Sequence, residues 1–223
     1  HEGSLQHRYA MLVDLRRCIG CQACTVSCAI ENQTPQGEFR TLVNQYQVQI
    51  EGQQSVTNVL LPRLCNHCDN PPCVPVCPVQ ATFQREDGIV VVDKEKCIGC
   101  KSCIMACPYG ARYYRENEDG YFGSELNEYE AVMYTAMPQG RVDKCTFCVD
   151  RIDYGHAHGL VPGVDPDATP ACANACIANA LTFGDIDDPD SKASRLLREN
   201  EHFRMHEELG TGPGFFYLWE KKQ

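Results

Sequence analysis

Apolar residues in this chain fall in short bursts of about 4–8 positions, the length of strands, rather than in long helical stripes. Residues 11–15 form one burst. Residues 81–85 and 89–93 form two more, joined by Glu86-Asp87-Gly88, which reads as a hairpin. Residues 111–115 and 180–184 repeat the pattern. Tyr46, Val48 and Ile50 alternate with polar residues, and residues 56–61 supply a partner strand across the turn at Glu51–Gln54. This predicts a second hairpin over about 42–61. Helical periodicity is clearest at 190–200, where Asp190 or Ser191 stands as an N-cap and Leu196 and Leu197 share a face. The segment 210–214 is too rich in glycine for a helix, and 215–219 is an apolar tail expected to pack on this chain or on a partner. Two longer stretches, 112–144 and 149–171, read as insertions. Gly155, Gly159, Pro162, Gly163, Asp165, Pro166 and Asp167 make the second a surface loop.

Cysteine organises what lies between the bursts. The chain has 223 residues and 16 cysteines, in four groups. Group one is Cys18-x2-Cys21-x2-Cys24-x3-Cys28. Group two is Cys65-x2-Cys68-x4-Cys73-x3-Cys77, followed by Pro78. Group three is Cys97-x2-Cys100-x2-Cys103-x3-Cys107, followed by Pro108. Group four is Cys145-x2-Cys148, then Cys172-x3-Cys176 after a gap of 23 residues. This is an internal repeat, and each group leads into a short strand.

These spacings point to iron–sulfur clusters. Three cysteines at x2 intervals wrap one cubane core, and a fourth, three residues on, faces a neighbouring core. Groups one and three keep every spacing, and both contain Cys-Ile-Gly-Cys (18–21 and 97–100), whose glycine lets backbone amides approach cluster sulfur. Zinc favours two separated Cys-x2-Cys pairs, which only group four resembles. Disulfides are disfavoured between cysteines so close in the chain. Four [4Fe-4S] clusters are therefore expected, with all sixteen cysteines as ligands.

Crossed ligation predicts the wiring. Groups two and three are near in sequence and form one pair: Cys65, Cys68, Cys73 and Cys107 hold one cluster, and Cys97, Cys100, Cys103 and Cys77 the other. Groups one and four form the second pair: Cys18, Cys21, Cys24 and Cys176, then Cys145, Cys148, Cys172 and Cys28. Serial pairing, one with two and three with four, is the weaker alternative. The expected fold class is α+β: two pseudo-symmetric dicluster ferredoxin-like units with an inserted hairpin and loops. One unit is 1–64 plus 141–189. The other is 65–140, with its insertion at 112–140. Residues 190–223 add a helix and a tail packing on a partner.

Charge and the remaining residues narrow the role. The net charge is −10, and no basic stripe exists to neutralise phosphates, so nucleic acid is not expected as a partner. Arg16, Arg17, Lys96, Lys101 and Lys144 lie near cysteines and offset cluster charge. No run of about 18 apolar residues crosses a membrane. His67 reads as structural, with hydrogen bonding to a cluster as its functional alternative. His156 and His158 read as surface residues, and Glu128 and Glu130 as a solvated face. Tyr113, Tyr114, Tyr129, Tyr134 and Phe147 are expected to cover the clusters. No nucleophile–base pair, P-loop or dinucleotide fingerprint occurs. With every cysteine used as a ligand, the chain reads as a relay without a substrate site. A free-standing polyferredoxin, and an enzyme working at one labile cluster, are the rival classes.

Several motifs carry a family resemblance over nearly the whole chain. They are Asp14-Leu15-Arg16-Arg17-Cys18-Ile19-Gly20-Cys21, Leu64-Cys65-Asn66-His67-Cys68-Asp69-Asn70-Pro71-Pro72-Cys73, Cys107-Pro108-Tyr109-Gly110 and Asp143-Lys144-Cys145-Thr146-Phe147-Cys148. Gly184-Asp185-Ile186-Asp187-Asp188-Pro189 and Gly210-Thr211-Gly212-Pro213 also fit. The sequence resembles the four-cluster iron–sulfur beta subunits of the DMSO reductase family of molybdenum enzymes. Among them it is similar to tetrathionate, polysulfide and respiratory arsenate reductase beta subunits. The segment before Cys18, with Glu2-Gly3-Ser4 and Arg8-Tyr9-Ala10-Met11, is like the tetrathionate member. The resemblance implies a catalytic partner holding molybdenum bis-pyranopterin, an integral membrane anchor exchanging electrons with quinone, and a periplasmic location. It implies that groups one and four lie toward the catalytic subunit and groups two and three toward the anchor. Cys100 stands where some relatives lose a ligand and hold a three-iron cluster, so four cubanes are implied here.

Overall fold

The computed structural model describes residues 7–49, 56–116, 120–123, 125–134 and 139–222, the side chains of Met133 and Tyr134 excepted. Glu2-Gly3-Ser4, Ile50, the turn at Glu51–Gln54 and the Tyr134 side chain lie outside the described residues.

In chain order the elements are β1 (Tyr9–Asp14), α1 (Ala23–Asn32), β2 (Thr41–Gln49), β3 (Val56–Leu64), β4 (Thr82–Gln84), β5 (Val90–Val92), α2 (Ser102–Met105), β6 (Arg112–Tyr114), α3 (Glu128–Tyr134), β7 (Val142–Lys144), α4 (Val149–His158), α5 (Ala171–Asn174), β8 (Leu181–Asp185), α6 (Lys192–Glu199), β9 (Asn200–Phe203) and β10 (Phe215–Lys221). The fold is mixed helix and strand, as the α+β reading expects.

The largest sheet has the order β8-β1-β10-β9. β1 runs parallel to β10, with Met11 opposite Phe215, and antiparallel to β8, with Met11 opposite Phe183. Strand alternation explains the burial of β1 on both faces. Tyr9, Met11 and Val13 face a core shared with Phe183, Phe215, Tyr217 and the thiols Cys24, Cys28, Cys65, Cys145 and Cys172. Ala10 and Leu12 face the other way, onto Ala193 of α6, Phe216 and Leu218. A third cluster gathers Cys73, Ala81, Val90, Cys97, Cys103 and Val142. Thiols therefore sit inside the apolar cores.

The expected hairpins are present. β2 and β3 pair antiparallel from Thr41–Leu64 to Gln49–Val56, and β4 pairs with β5 around Phe83–Val91. α6 begins where capping chemistry places it: the Ser191 hydroxyl accepts the Ser194 backbone N–H at 3.0 Å, worth about 1 kcal/mol at an N-cap.

The tail at 215–219 packs on this chain, one of its two expected places: it is β10, an inner strand of the central sheet, with Phe215, Tyr217 and Leu218 fully buried and Trp219 half exposed. Three expectations are corrected. The 149–171 segment is not a loop throughout. Its first half is α4, which buries Ile152, and Gly155 is there because a Cβ would collide with Ala168. The 112–144 insertion is bounded by a strand pair, β6 with β7, in which Tyr113 faces Asp143. Glu130 is not on a solvated face. It is buried, accepting backbone N–H groups from Tyr121 (2.7 Å) and Asn127 (3.1 Å), while Asn127 caps α3 through the Glu130 N–H.

Candidate iron–sulfur centres

Each cysteine loop is shaped by local backbone before any long-range contact acts. In Cys18-Ile19-Gly20-Cys21-Gln22 the left-handed residues are Gly20 (φ 68°) and Gln22 (φ 60°). In Cys97-Ile98-Gly99-Cys100-Lys101 they are Gly99 (φ 70°) and Lys101 (φ 63°). Alternation of this kind turns successive N–H groups inward, a concavity suited to anionic sulfur. At the far ends of groups two and four the pattern also repeats. The Ala81 N–H donates to Cys77 Sγ and the Ala180 N–H to Cys176 Sγ, both at 3.2 Å. The Phe147 N–H donates to Cys145 Sγ at 3.4 Å.

All sixteen cysteines are free thiols in this structure. Ten are buried. Only Cys21 and Cys100 are exposed, the last residues of the two Cys-Ile-Gly-Cys loops. Among the described residues no three His, Cys, Asp or Glu side chains converge tightly enough for one metal ion.

The thiols nonetheless meet in sets. A shallow hollow is walled by Cys18, Cys21, Cys24 and Cys176, with Leu181 and Val13 behind them. A second is walled by Cys97, Cys100, Cys103 and Cys77. Elsewhere the electrostatics report the neighbours. Burial pushes the Cys68 thiol up to about 12, and Cys65, Cys73 and Cys107 act on it as well. Burial raises Cys28 and Cys172 well above the ordinary thiol value, and each also feels Cys145 and Cys148. Cys145 is pushed up to about 12 by burial, with Cys65 its foremost charged neighbour. Cys172 also feels Cys24. Thiols this buried ionise only beside compensating positive charge, and iron would supply it.

Buried polar side chains surround these sets. The Arg112 guanidinium donates to Cys73 Sγ at 2.9 Å and to Thr82 Oγ1 at 3.3 Å. Asn32 donates to Cys28 Sγ at 3.5 Å and Cys148 Sγ at 3.8 Å, and its oxygen accepts from Arg40. Arg40 forks onto Asp143 at 2.7 and 2.9 Å, Tyr113 donates to the same carboxylate at 2.6 Å, and Lys94 closes on its other oxygen. Burial would raise the Asp143 pKa. The Arg40 and Lys94 cations and the donated hydrogen bonds outweigh it, holding the carboxyl far below the usual range.

His67 supports the fit of a cluster. The ring is fully buried and stacks on Phe147, with centroids 3.8 Å apart. Its Nδ1 accepts the Val90 N–H at 3.0 Å. Burial, then the Lys144, Arg8 and Arg112 cations, hold its pKa well below the ordinary value, so the ring is neutral with its proton on Nε2. Among the described residues Nε2 has no partner. A sulfide of a cluster bound at the Cys65–Cys68 loop would be an acceptor of the right kind. The histidine therefore has a structural role through Nδ1 and a free donor at Nε2.

The other sequence candidates divide. Lys144 is fully buried, bonded to the carbonyls of Val90 and Cys145. Arg16 pairs with Asp14, Arg17 bonds the Ala178 carbonyl, Lys96 pairs with Asp93, and Lys101 lies over the Tyr114 ring. Tyr113 and Phe147 are buried; Tyr129 is 57% exposed and covers nothing. His156 bonds the Tyr9 hydroxyl at 3.0 Å, and exposed His158 stacks on Tyr154. Sequence reasoning missed Arg112, Asn32, Arg40 and Asp143. The one signal for Arg112 was a cation opening an otherwise apolar strand just after a cysteine group.

Thiol loops of this kind define a class, and the comparisons agree. Residues 17–81 and residues 56–122 each match the 4Fe-4S dicluster domain. The two stretches overlap on group two, so contiguous matching leaves the partners of each group open. The sequence is 55% identical over 220 residues to the B subunit of tetrathionate reductase from Salmonella typhimurium, covering 98% of this chain and 75% of that protein. It is 36% identical over 220 residues to the B component of polysulfide reductase from Wolinella succinogenes, covering 96% of each. It is 31% identical over 239 residues to the arsenate respiratory reductase iron–sulfur subunit of a Shewanella species, covering 95% and 96%. This protein belongs to the same family of iron–sulfur B subunits, the electron-transfer subunits of reductases. Among the described residues no helix is long and apolar enough to cross a membrane.

Proposed function

We propose that the chain is a wire of four [4Fe-4S] clusters in two pseudo-symmetric units, linking a molybdenum bis-pyranopterin catalytic subunit to a quinone-linked membrane anchor on the periplasmic side. The reductase acts on a sulfur or arsenic oxyanion, and this chain has no substrate site of its own. The crossed sets are Cys18, Cys21, Cys24 and Cys176; Cys145, Cys148, Cys172 and Cys28; Cys65, Cys68, Cys73 and Cys107; and Cys97, Cys100, Cys103 and Cys77. The units are 1–64 with 141–189, and 65–140. Bound clusters supply one-electron couples whose potentials follow charge, burial and hydrogen bonds to sulfur.

The observation that carries the reading is the distribution of thiol exposure. The three leading cysteines of groups two and four are all buried, whereas groups one and three each bring one thiol, Cys21 and Cys100, to the surface. Cys24 acts on Cys172, Cys65 on Cys145, and Cys100 on Cys77. These neighbours support the order group one, group four, group two, group three. The ends are accessible to partners and the middle is shielded from water.

Iron and acid-labile sulfide in the purified complex should each approach about sixteen per chain, four clusters of four. About eight of each would reject the four-cluster wire. Cys176→Ser should alter the EPR signal of the cluster on Cys18, Cys21 and Cys24. Alteration of the Cys145 cluster instead would reject crossed pairing. Molybdenum in the copurifying large subunit, and periplasmic fractionation, test the partner and the location.

A further inference from the structure

Arg112 stands at an offset the chain uses three times. It is the fifth residue after Cys107 and opens β6; Leu181 is the fifth after Cys176 and opens β8, and Thr82 is the fifth after Cys77 and opens β4. All three are buried, Arg112 and Leu181 at 6% exposure each. Leu181 lines the hollow walled by Cys18, Cys21, Cys24 and Cys176. Arg112 instead places its guanidinium on Cys73, 2.9 Å from Sγ, with Thr82 Oγ1 holding its other arm. Cys65 and Cys103 also lie within its field. One cluster set thus meets a buried permanent cation where its counterpart meets a hydrocarbon.

We propose that Arg112 raises the reduction potential of the cluster on Cys65, Cys68, Cys73 and Cys107 above that of the cluster on Cys18, Cys21, Cys24 and Cys176, making an electron resting place inside the wire. The inference rests on the relay reading. The cluster gains one electron from an adjoining cluster and later passes one on. Each gain adds a negative charge shared with the thiolates, and Arg112 stabilises that charge through its hydrogen bond and its field. No proton moves, because a guanidinium does not titrate in the range of interest. Burial keeps water from screening the interaction. Arg112 is a positioning and tuning residue. It ligates no iron.

The test is an anaerobic EPR-monitored redox titration of the intact reductase complex carrying Arg112→Gln, Arg112→Met or Arg112→Lys. Cys73→Ser, in group two under either pairing, identifies the signal. With iron at the wild-type level, both uncharged variants should lower the ratio of reduced to oxidised cluster about tenfold at fixed potential, a shift of about 59 mV for a one-electron couple. Arg112→Lys should shift it less than half as much, and signals from groups one and four should stay in place. Unmoved midpoints, equal shifts for Lys and Gln, or loss of iron in both uncharged variants would overturn the proposal; the last would make Arg112 a scaffold. Cys107→Ser separates the two readings. If it alters a signal other than that of Cys73→Ser, crossed wiring fails while the Arg112 effect on the Cys73 cluster stands.

Discussion

Asp143 is the residue whose loss should cost this fold most without touching a thiol. Its carboxylate is 5% exposed and accepts from Arg40, Lys94 and Tyr113. Arg40 is itself 7% exposed. Asp143→Asn keeps the shape and removes the charge, leaving Arg40 buried without its anion. Breaking a buried pair from one side costs about 3–5 kcal/mol. Lys94, 24% exposed, recovers part of its loss by turning to water, so the Arg40 half dominates. For a chain of this size the fall in melting temperature is about 6–20 °C. The assay is an anaerobic thermal scan at one fixed rate, following loss of the visible thiolate-to-iron absorbance. The double variant Arg40→Met with Asp143→Leu should lie closer to wild type than Asp143→Asn does, because no unpaired charge remains. The pH dependence has a definite sign. The folded pKa of Asp143 is depressed, so its contribution is complete above the unfolded value of about 3.9. It is lost as the pH falls through the folded value. The gap between wild type and Asp143→Asn should therefore be constant near neutrality and shrink below about pH 4. A melting temperature within about 3 °C of wild type for Asp143→Asn, or a gap that widens in acid, would refute the argument.

Other predictions are shorter. Gly99→Ala should be far more damaging than Gly20→Ala, although both sit in Cys-Ile-Gly-Cys at positive φ. A Cβ at Gly99 meets the backbone carbonyl of Gly140 and the Tyr114 ring, whereas at Gly20 it meets only the mobile end of Leu60. The first should lose about four irons per chain and the second should keep them, measured by iron analysis. Asn32→Ala should lower the potential of the cluster on Cys28 and Cys148 in a redox titration, because the one amide that donates to both sulfurs disappears. Ser191→Ala should destabilise by about 1 kcal/mol through the lost cap, seen as a small fall in melting temperature with cluster content unchanged. Stripping the iron should leave a chain that trypsin cleaves rapidly, since thiols make up much of the core and metal-binding energy is folding energy here. Equal protease resistance with and without iron would contradict that.

What could be read from the sequence was local. Cys-x2-Cys spacing determines which thiols curl around one core, and glycine between them supplies the left-handed backbone; neither needs a distant contact. The hairpins at 82–92 and 41–64 and the cap at Ser191 were legible for the same reason. Legibility ended where a residue's role depends on something far away in the chain. The apolar tail became an inner strand because β1, some 200 residues earlier, offers it a parallel partner. Glycines in 149–171 suggested a loop, yet Gly155 serves a helix that packs closely on Ala168. Glu130 looked like a surface charge until backbone N–H groups from another segment closed on it. Arg112, Asn32 and Arg40 carried no motif, and Asp143 stood in one that gave no sign of its role, since a charged side chain is stable in a core only when its partners arrive there too. The sequence by itself determined that this protein belongs with the iron–sulfur proteins and that its sixteen cysteines fall into four groups. Only the tertiary structure decided which thiols share a hollow, which ones reach the surface, and where a buried cation makes one cluster set unlike its counterpart, because burial and long-range charge exist only after the chain has folded.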